Sequence, residues 1–449
     1  MPAASFQFNF GSGDATPREP DAPMRLLLLG DFSGQTAAER TPLAQRPPLR
    51  VDIDSLERVL AKLAPRVQTP AGPVTFATLD DFHPDALYDR LELFGALREA
   101  RARPAPQGED SPLAALLGGK PASATTGSST PKSGLEGLIE RVVAPHIVPD
   151  TSAQTQAYLR AVDAAIAEQM RQLLHAPAFQ AMEANWRGVQ WLVSRLELEE
   201  NLQLWLFDVT REELAEDLLA AERPLQDSAS CTALSAAARR HSGEAGFSLL
   251  AGLYGFADTD DDTTLLTALG ALGSQLGAAF IGSAARPDAD AAPSPAWTAL
   301  RQSPAARWLG LVSPRLLLRL PYGARSEKIE RFAFEELADT GTHEHYLWAP
   351  GSLVLPLLLG RSYTLNEGWS FSPGDEREVD DLPSFTRPDR DGEPELLPCA
   401  EVFLTDAQAE KLLGRGLMPL LSHRHRNVAM LMRVQSLAEP AVPLAGLPA

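Results

Sequence analysis

Leu202-Gln203-Leu204-Trp205-Leu206-Phe207-Asp208-Val209 is a short run dominated by leucine and aromatic side chains. That composition suits a pleated, buried surface, so the run predicts a central β-strand. Reading outward, Arg211 to Ala221 predicts a helix, Phe247 to Leu253 a second central strand, Thr264 to Leu276 another helix and Ala278 to Ile281 a buried strand. This succession predicts a mixed α/β domain. Upstream, Leu135 to Val143, Thr151 to Leu174 and Ala178 to Leu196 each repeat apolar residues at three- and four-residue spacing, so a helical region leads into it. Downstream, the pattern predicts a helix near Tyr346 to Leu359, a strand near Glu401 to Leu404 and a short helix after Thr405-Asp406. Strands near Leu417 to Leu421 and Val428 to Val434 follow.

The N-terminal hundred residues read as a small α/β domain, 1–103. Phe6, Phe8 and Phe10 alternate with polar residues, the period of a strand with one sticky face. Met24 to Leu29 reads as a fully buried strand and Leu49 to Ile53 as another. A helix from Asp54 to Ala64 is stopped by Pro65, and a strand near Val74 to Leu79 follows. Asp80 or Asp81 is the expected cap of a helix that begins after His83-Pro84, carries Leu87, Leu91, Phe94 and Leu97 on one face, and ends at Pro104. Residues 104–134 exchange this patterning for Pro, Gly, Ser, Thr and Ala, the composition of a linker. Within it, Ser111-Pro112 opens a short amphipathic segment whose Leu113, Leu116 and Leu117 share a face, a candidate docking helix. The larger mixed domain is expected over 135–440 and a tail over 441–449.

At 449 residues and 44% apolar content the chain can bury a large core, and its net charge of -19 opposes phosphate backbones and anionic lipid. Nucleic acid and membrane insertion are therefore not expected. The only apolar run near the N-terminus, Leu26 to Leu29, is too short for a signal sequence or a membrane span, so a cytoplasmic location is expected. Cys231 and Cys399 form no CxxC pair and read as buried thiols.

Catalytic motifs find no foothold. No GxxxxGK[ST] occurs, and Gly30-Asp31-Phe32-Ser33-Gly34 sets an anionic Asp31 where a phosphate would sit. Gly273-Ser274-Gln275-Leu276-Gly277 has its serine one place early for a nucleophile elbow and lies within a helical pattern. His343/His345 and His423/His425 are each spaced to share a strand face, but Arg424 and Arg426 flank the second pair and the first lies in a polar loop. Both read as surface or interface histidines rather than metal ligands. Asp258 to Asp262 lacks the glycine and glutamate of a calcium loop and reads as a helix-capping acidic turn. No enzyme activity, cofactor or metal is expected.

Three stretches carry a family resemblance. Phe179-Gln180-Ala181-Met182-Glu183-Ala184-Asn185-Trp186-Arg187-Gly188 resembles the F-Q-x-x-E-x-x-W-R-G helix of the large contractile-sheath subunit of type VI secretion, and Pro314-Arg315-Leu316-Leu317-Leu318-Arg319-Leu320-Pro321-Tyr322-Gly323 resembles its P-R-(F/L)-L-L-R-L-P-Y-G segment. Before the linker, Gly30 to Gly34, Val51-Asp52-Ile53-Asp54 and Leu79-Asp80-Asp81-Phe82-His83-Pro84 resemble the small sheath subunit. The resemblance implies the two subunits fused in one chain, small first, ending soon after Gln435-Ser436 where the large subunit continues. It implies a structural protein that assembles with itself or with sheath subunits, with the inner tube, the baseplate or a disassembly ATPase as further partners. A sheath-mimicking adaptor or cap is the alternative. Trp186, Arg187, Arg319 and Tyr322 are expected mainly to pack, while Phe6, Phe8, Phe10 and the Leu113 segment are expected to reach partners.

Overall fold

The structure, a computed structural model, describes residues 19–69, 72–102, 151–220, 223–242, 246–286, 288–337, 342–388, 394–397, 399–423 and 426–448. Two compact units divide the chain. The first comprises Met1–Arg66, Ala181–Leu320 and Leu347–Ala449, the second Val67–Gln180 and Pro321–Tyr346.

The first unit is built on a nine-stranded sheet. Its strands are β1 (Met24–Gly30), β2 (Leu49–Val51), β3 (Leu202–Asp208), β4 (Leu249–Phe256), β5 (Ala279–Ala284), β6 (Leu309–Ser313), β7 (Glu378–Val379), β8 (Met418–Ser422) and β9 (Ala429–Leu431). They lie in the order β7-β9-β8-β6-β5-β4-β1-β3-β2. The six from β3 to β8 in that order are parallel, with β2 antiparallel at one edge and β9 and β7 at the other. Parallel strands carry cover on both faces, which is why they read as continuous apolar runs. Every residue of β1 and β3 is buried. Leu27, Leu29, Trp205, Phe207, Leu250 and Phe280 enter one core with Leu214, Leu234, Leu265 and Leu269 from the helices Arg211–Leu218, Ala229–Ser242 and Asp260–Leu276. Leu26, Leu28, Leu204 and Leu206, pointing to the opposite face by the strand period, are equally buried.

Strand pairing does not follow the expected division at the linker. β1 runs between β3 and β4 in full register, Leu27 opposite Trp205 and Leu250, so the N-terminal segment supplies a central strand to a sheet made otherwise mostly of later sequence.

Four elements differ from expectation, the first being the strand near Val74 to Leu79, which spans only Gly72–Thr75 while Leu79 opens the 3₁₀ turn Leu79–Phe82. The helix expected over Tyr346 to Leu359 begins only at Val354 and runs to Leu365, because Trp348–Ala349 pairs antiparallel with Leu316–Leu317 and Pro350-Gly351 turns the chain. Glu401 to Leu404 is not a strand; Ala400 makes one isolated bridge to Leu316 and the Glu401 carboxylate grips the Arg315 guanidinium at 2.7 and 2.8 Å. The helix after His83-Pro84 breaks at an extended Leu91 into Pro84–Arg90 and Gly95–Ala102, with Arg98 donating to the Leu91 carbonyl and His83, rather than an aspartate, capping the first part. β6 and the helices Ala229–Ser242 and Pro295–Gln302 were not expected. Phe6 to Phe10, the Leu113 to Leu117 segment, the linker and Leu135 to Val143 lie outside the described residues.

Candidate functional site: a buried junction of motifs

The helix Pro177–Val193 carries the first motif, and its Trp186 is fully buried. A buried indole needs a partner for its N–H. Trp186 Nε1 donates to the Phe32 carbonyl at 3.0 Å, the two rings meet edge to face at 5.6 Å, and Asn185 Nδ2 donates to the Asp31 carbonyl at 3.0 Å. Gly30 to Gly34 is thus the loop that the tryptophan reads.

That loop turns its N–H groups onto carboxylates of the same chain. Asp208, at the end of β3, accepts from Phe32 N at 2.8 Å, Ser33 N at 3.1 Å and Ser33 Oγ at 2.7 Å, while Asp31 accepts from Gly34 N at 2.8 Å. A loop of this kind after a parallel strand often holds an external anion. Here Asp208 fills that place. Gly34 has φ +60°, and a Cβ on it would lie 1.9 Å from the Arg66 carbonyl oxygen, so only glycine makes the turn.

Arg40 closes the loop from outside the motif. Its guanidinium pairs with Asp31, with Glu213 at 3.1 Å and with Asp208 at 3.4 Å, and its Nε donates to the Gln35 carbonyl at 2.8 Å. Arg46 adds bonds to Glu213 at 2.9 Å and to the Asp208 carbonyl at 2.5 Å. Burial pushes the Asp31 carboxyl above its ordinary value, against the pull of Arg40. Burial would raise Glu213 too, but the hydrogen bond from Arg46, the Thr210 N–H and the two guanidinium charges hold it below the ordinary range. The Tyr254 phenol, buried and donating to the Val209 carbonyl at 2.6 Å, is pushed well up by burial. Beside this cluster a cleft of about 210 Å³ is lined by Ser33, Gln35, Arg40, Thr41, Arg46 and Lys62, at the carboxyl ends of β1 and β3. Open α/β sheets commonly bind ligands outside the carboxyl ends of their strands. In this chain the two arginines of the cleft are committed to Asp31, Asp208, Glu213 and backbone carbonyls.

The Pro314 to Gly323 motif meets the same helix one turn earlier. Glu183, fully buried, accepts from Arg187 Nε at 2.7 Å and from Arg319 Nε at 2.8 Å and Nη2 at 3.2 Å. Gly188 lets the helix approach Leu353, whose Cδ1 would lie 2.6 Å from an added Cβ.

The comparisons with known proteins follow the same division of motifs. Residues 156–291 and 289–438 match the family described as EvpB/VC_A0108, tail sheath N-terminal domain. The chain belongs to this tail-sheath family. Residues 6–105 match a second family, described as Type VI secretion system, VipA, VC_A0107 or Hcp2, so the two stand in tandem. The type VI secretion system sheath protein TssC1 of Pseudomonas aeruginosa is 29% identical over 332 residues, 67% of this chain and 66% of that protein. The chain therefore spans just under two-thirds of that relative's length.

Within the sheath-family chain, the VipA-matching and EvpB-matching parts touch through their motifs, Phe32 on Trp186 and Ser33 on Asp208 in the first unit. The second unit repeats this by itself. Phe82 of the Leu79 to Pro84 stretch stacks on Phe76 at 4.0 Å and packs edge-on to Phe179 at 5.8 Å, and His83 lies edge-on to Tyr322 at 5.0 Å. Trp186, Arg319 and Tyr322 are buried and Arg187 half-buried. Asp208 and Glu213 were missed by sequence reasoning, although an aspartate ending an apolar strand is a visible signal; Arg40 offered none. His343 and His345 form a single 3₁₀ turn; His423 follows β8, and its companion His425 lies outside the described residues. Cys231 and Cys399 are free thiols, buried and raised by burial. Among the described residues no helix is long and apolar enough to cross a membrane.

Proposed function

We propose that this chain is a structural component of a type VI secretion apparatus, a fused sheath protomer in which small- and large-subunit parts are delivered as one folded unit. The observation that carries the reading is the tandem of two sheath-family matches in one chain whose N-terminal strand sits inside the sheet of the rest. Fusion replaces a bimolecular encounter by an intramolecular one at high effective concentration, so the 1:1 ratio of parts no longer depends on expression. The family-resembling motifs serve packing, and the function is assembly rather than catalysis, in the cytoplasm.

Assembly proceeds by strand addition. The alternating Phe6, Phe8 and Phe10 complete a neighbouring protomer's sheet, main-chain hydrogen bonds giving affinity and the phenylalanines giving register. Sheath subunits are the first partners; the inner tube, the baseplate and a disassembly ATPase docking on Leu113, Leu116 and Leu117 are further ones. Negative-stain imaging with mass photometry tests this, on the chain alone and mixed with sheath subunits of the same organism. Tubes or rings that incorporate the chain are the expected result. A discrete species that caps or shortens authentic sheaths would make it an adaptor, and indifference to sheath subunits would overturn both.

A further inference from the structure

In the second unit, His175 closes the helix Thr151–Leu174 and His345 closes the 3₁₀ turn His343–His345. Their imidazoles stack face to face, with centroids 4.0 Å apart and planes only 4° from parallel. The His175 Nε2 is buried without a hydrogen-bond partner and lies 3.7 Å from Oε1 of Glu336, a carboxylate buried to 1% exposure. Glu336 is itself fixed, since its Oε2 accepts from Tyr322 N at 2.8 Å and its own N–H donates to the Tyr322 carbonyl.

We infer that the His175–His345 stack is an acid-sensitive clasp, closed while at most one imidazole is charged and opened when both are. The geometry gives the two charges different consequences. A proton on His175 faces Glu336 across 3.7 Å and sits at a helix C-terminus, where positive charge is favoured. It converts the 3.7 Å contact into an ion pair and leaves the stack intact. A second proton on His345 sets two like charges ring to ring with one buried carboxylate between them, and the turn 342–346 must leave the helix end to regain water.

The charged groups facing the pair do not remove this conflict. On the helix, Arg171 is paired with Glu168 at 3.1 Å and donates to the Glu335 carbonyl; on the 321–337 segment stand Glu335 and Glu336; on the turn, His343 and Glu344, whose carbonyl accepts from Gln180. His345 is held below the ordinary imidazole range, first by burial and then by His175, with Glu336 and Glu344 pulling the other way. The sign follows. The open form binds more protons than the closed one, so closure is fully stable above the ordinary histidine value and is lost as pH falls below it.

Hydrogen exchange of the full chain, corrected for intrinsic exchange, tests the clasp at about pH 7.5 and pH 5.5, on either side of the histidine range. The His345 amide, bonded to the Thr342 carbonyl, and the His175 amide, bonded to Arg171, report on it. The expected result is severalfold faster exchange of both amides at the lower pH than at the higher. His345→Phe keeps the stack without the charge and should hold exchange within about twofold at both pH values, and His175→Phe, which also removes the ion pair, should do the same. Equal protection of the wild type at both pH values overturns the inference. So does an undiminished pH response in both variants.

Discussion

Around Arg40 three carboxylates converge on one guanidinium; around Glu183 two guanidinia converge on one carboxylate. The inversion matters because the two clusters differ in access to water. The Arg40 side chain is 2% exposed, but Asp31 is 39% and Glu213 18% exposed, so the surplus negative charge is shared with solvent and can be relieved by a proton. Glu183 is sealed at 0%, with Arg319 at 8% and Arg187 at 21%. The groups that grip it are guanidinia, which do not deprotonate. One cluster adjusts to pH; the other depends on a single buried carboxylate.

Removing that carboxylate is the harshest way to test the contrast. Glu183→Gln withdraws the buried carboxylate that Arg319 and Arg187 both grip, and the expected loss is about 3–5 kcal/mol. It is read from the urea midpoint at unchanged slope. Arg187→Ala should cost far less, about 1 kcal/mol or under, because that side chain is partly exposed and Arg319 keeps Glu183 paired. Equal losses in the two variants would mean that burial does not set the hierarchy.

On the Arg40 side the corresponding change is Asp208→Asn. It spares the two N–H bonds to Oδ1 but withdraws the charge and the Oδ2 acceptor from Ser33 Oγ and Arg40. The expected cost is about 1.5–3 kcal/mol, smaller than for Glu183 because Asp31 and Glu213 still neutralise Arg40. A cost matching Glu183→Gln would erase the distinction between the clusters.

The two clusters were unequally visible in the sequence. Glu183, Arg187 and Arg319 lie in motifs that a reader singles out, although nothing in either motif says that they face each other across 136 residues. Arg40 stands in a polar loop with no pattern, and its partners lie up to 173 residues away. The sheet was easier to read, because β1 and β3 are buried on both faces and appear as unbroken apolar runs. β6 escaped notice since Gly310 interrupts Leu309-Gly310-Leu311-Val312. The structure supplies the reason for that glycine: an added Cβ would meet Met418 and Ile281 at 2.7 and 2.8 Å. The late onset of the helix Val354–Leu365 went unread because apolar residues run straight through Pro350-Gly351. Hydropathy alone does not register a turn between two buried elements.

The mildest and most specific test is the pH dependence of the Arg40 cluster. Asp31, raised by burial, is bound to a proton more readily in the folded chain than in the unfolded one. Its contribution is therefore present below the unfolded carboxylate value and lost as pH rises through the folded one. Glu213, lowered by Arg46, Thr210 and Arg40 in spite of burial, contributes the opposite slope, present above its unfolded value and lost as pH falls. In the wild type these slopes oppose each other between about pH 3 and pH 5. Asp31→Asn removes the first and leaves the second unbalanced, so acid unfolding should steepen over that window while stability at neutral pH changes little. Glu213→Gln should flatten it instead. The same slope in both variants would show that the two carboxylates titrate as one group and that partial exposure of Asp31 does not separate them.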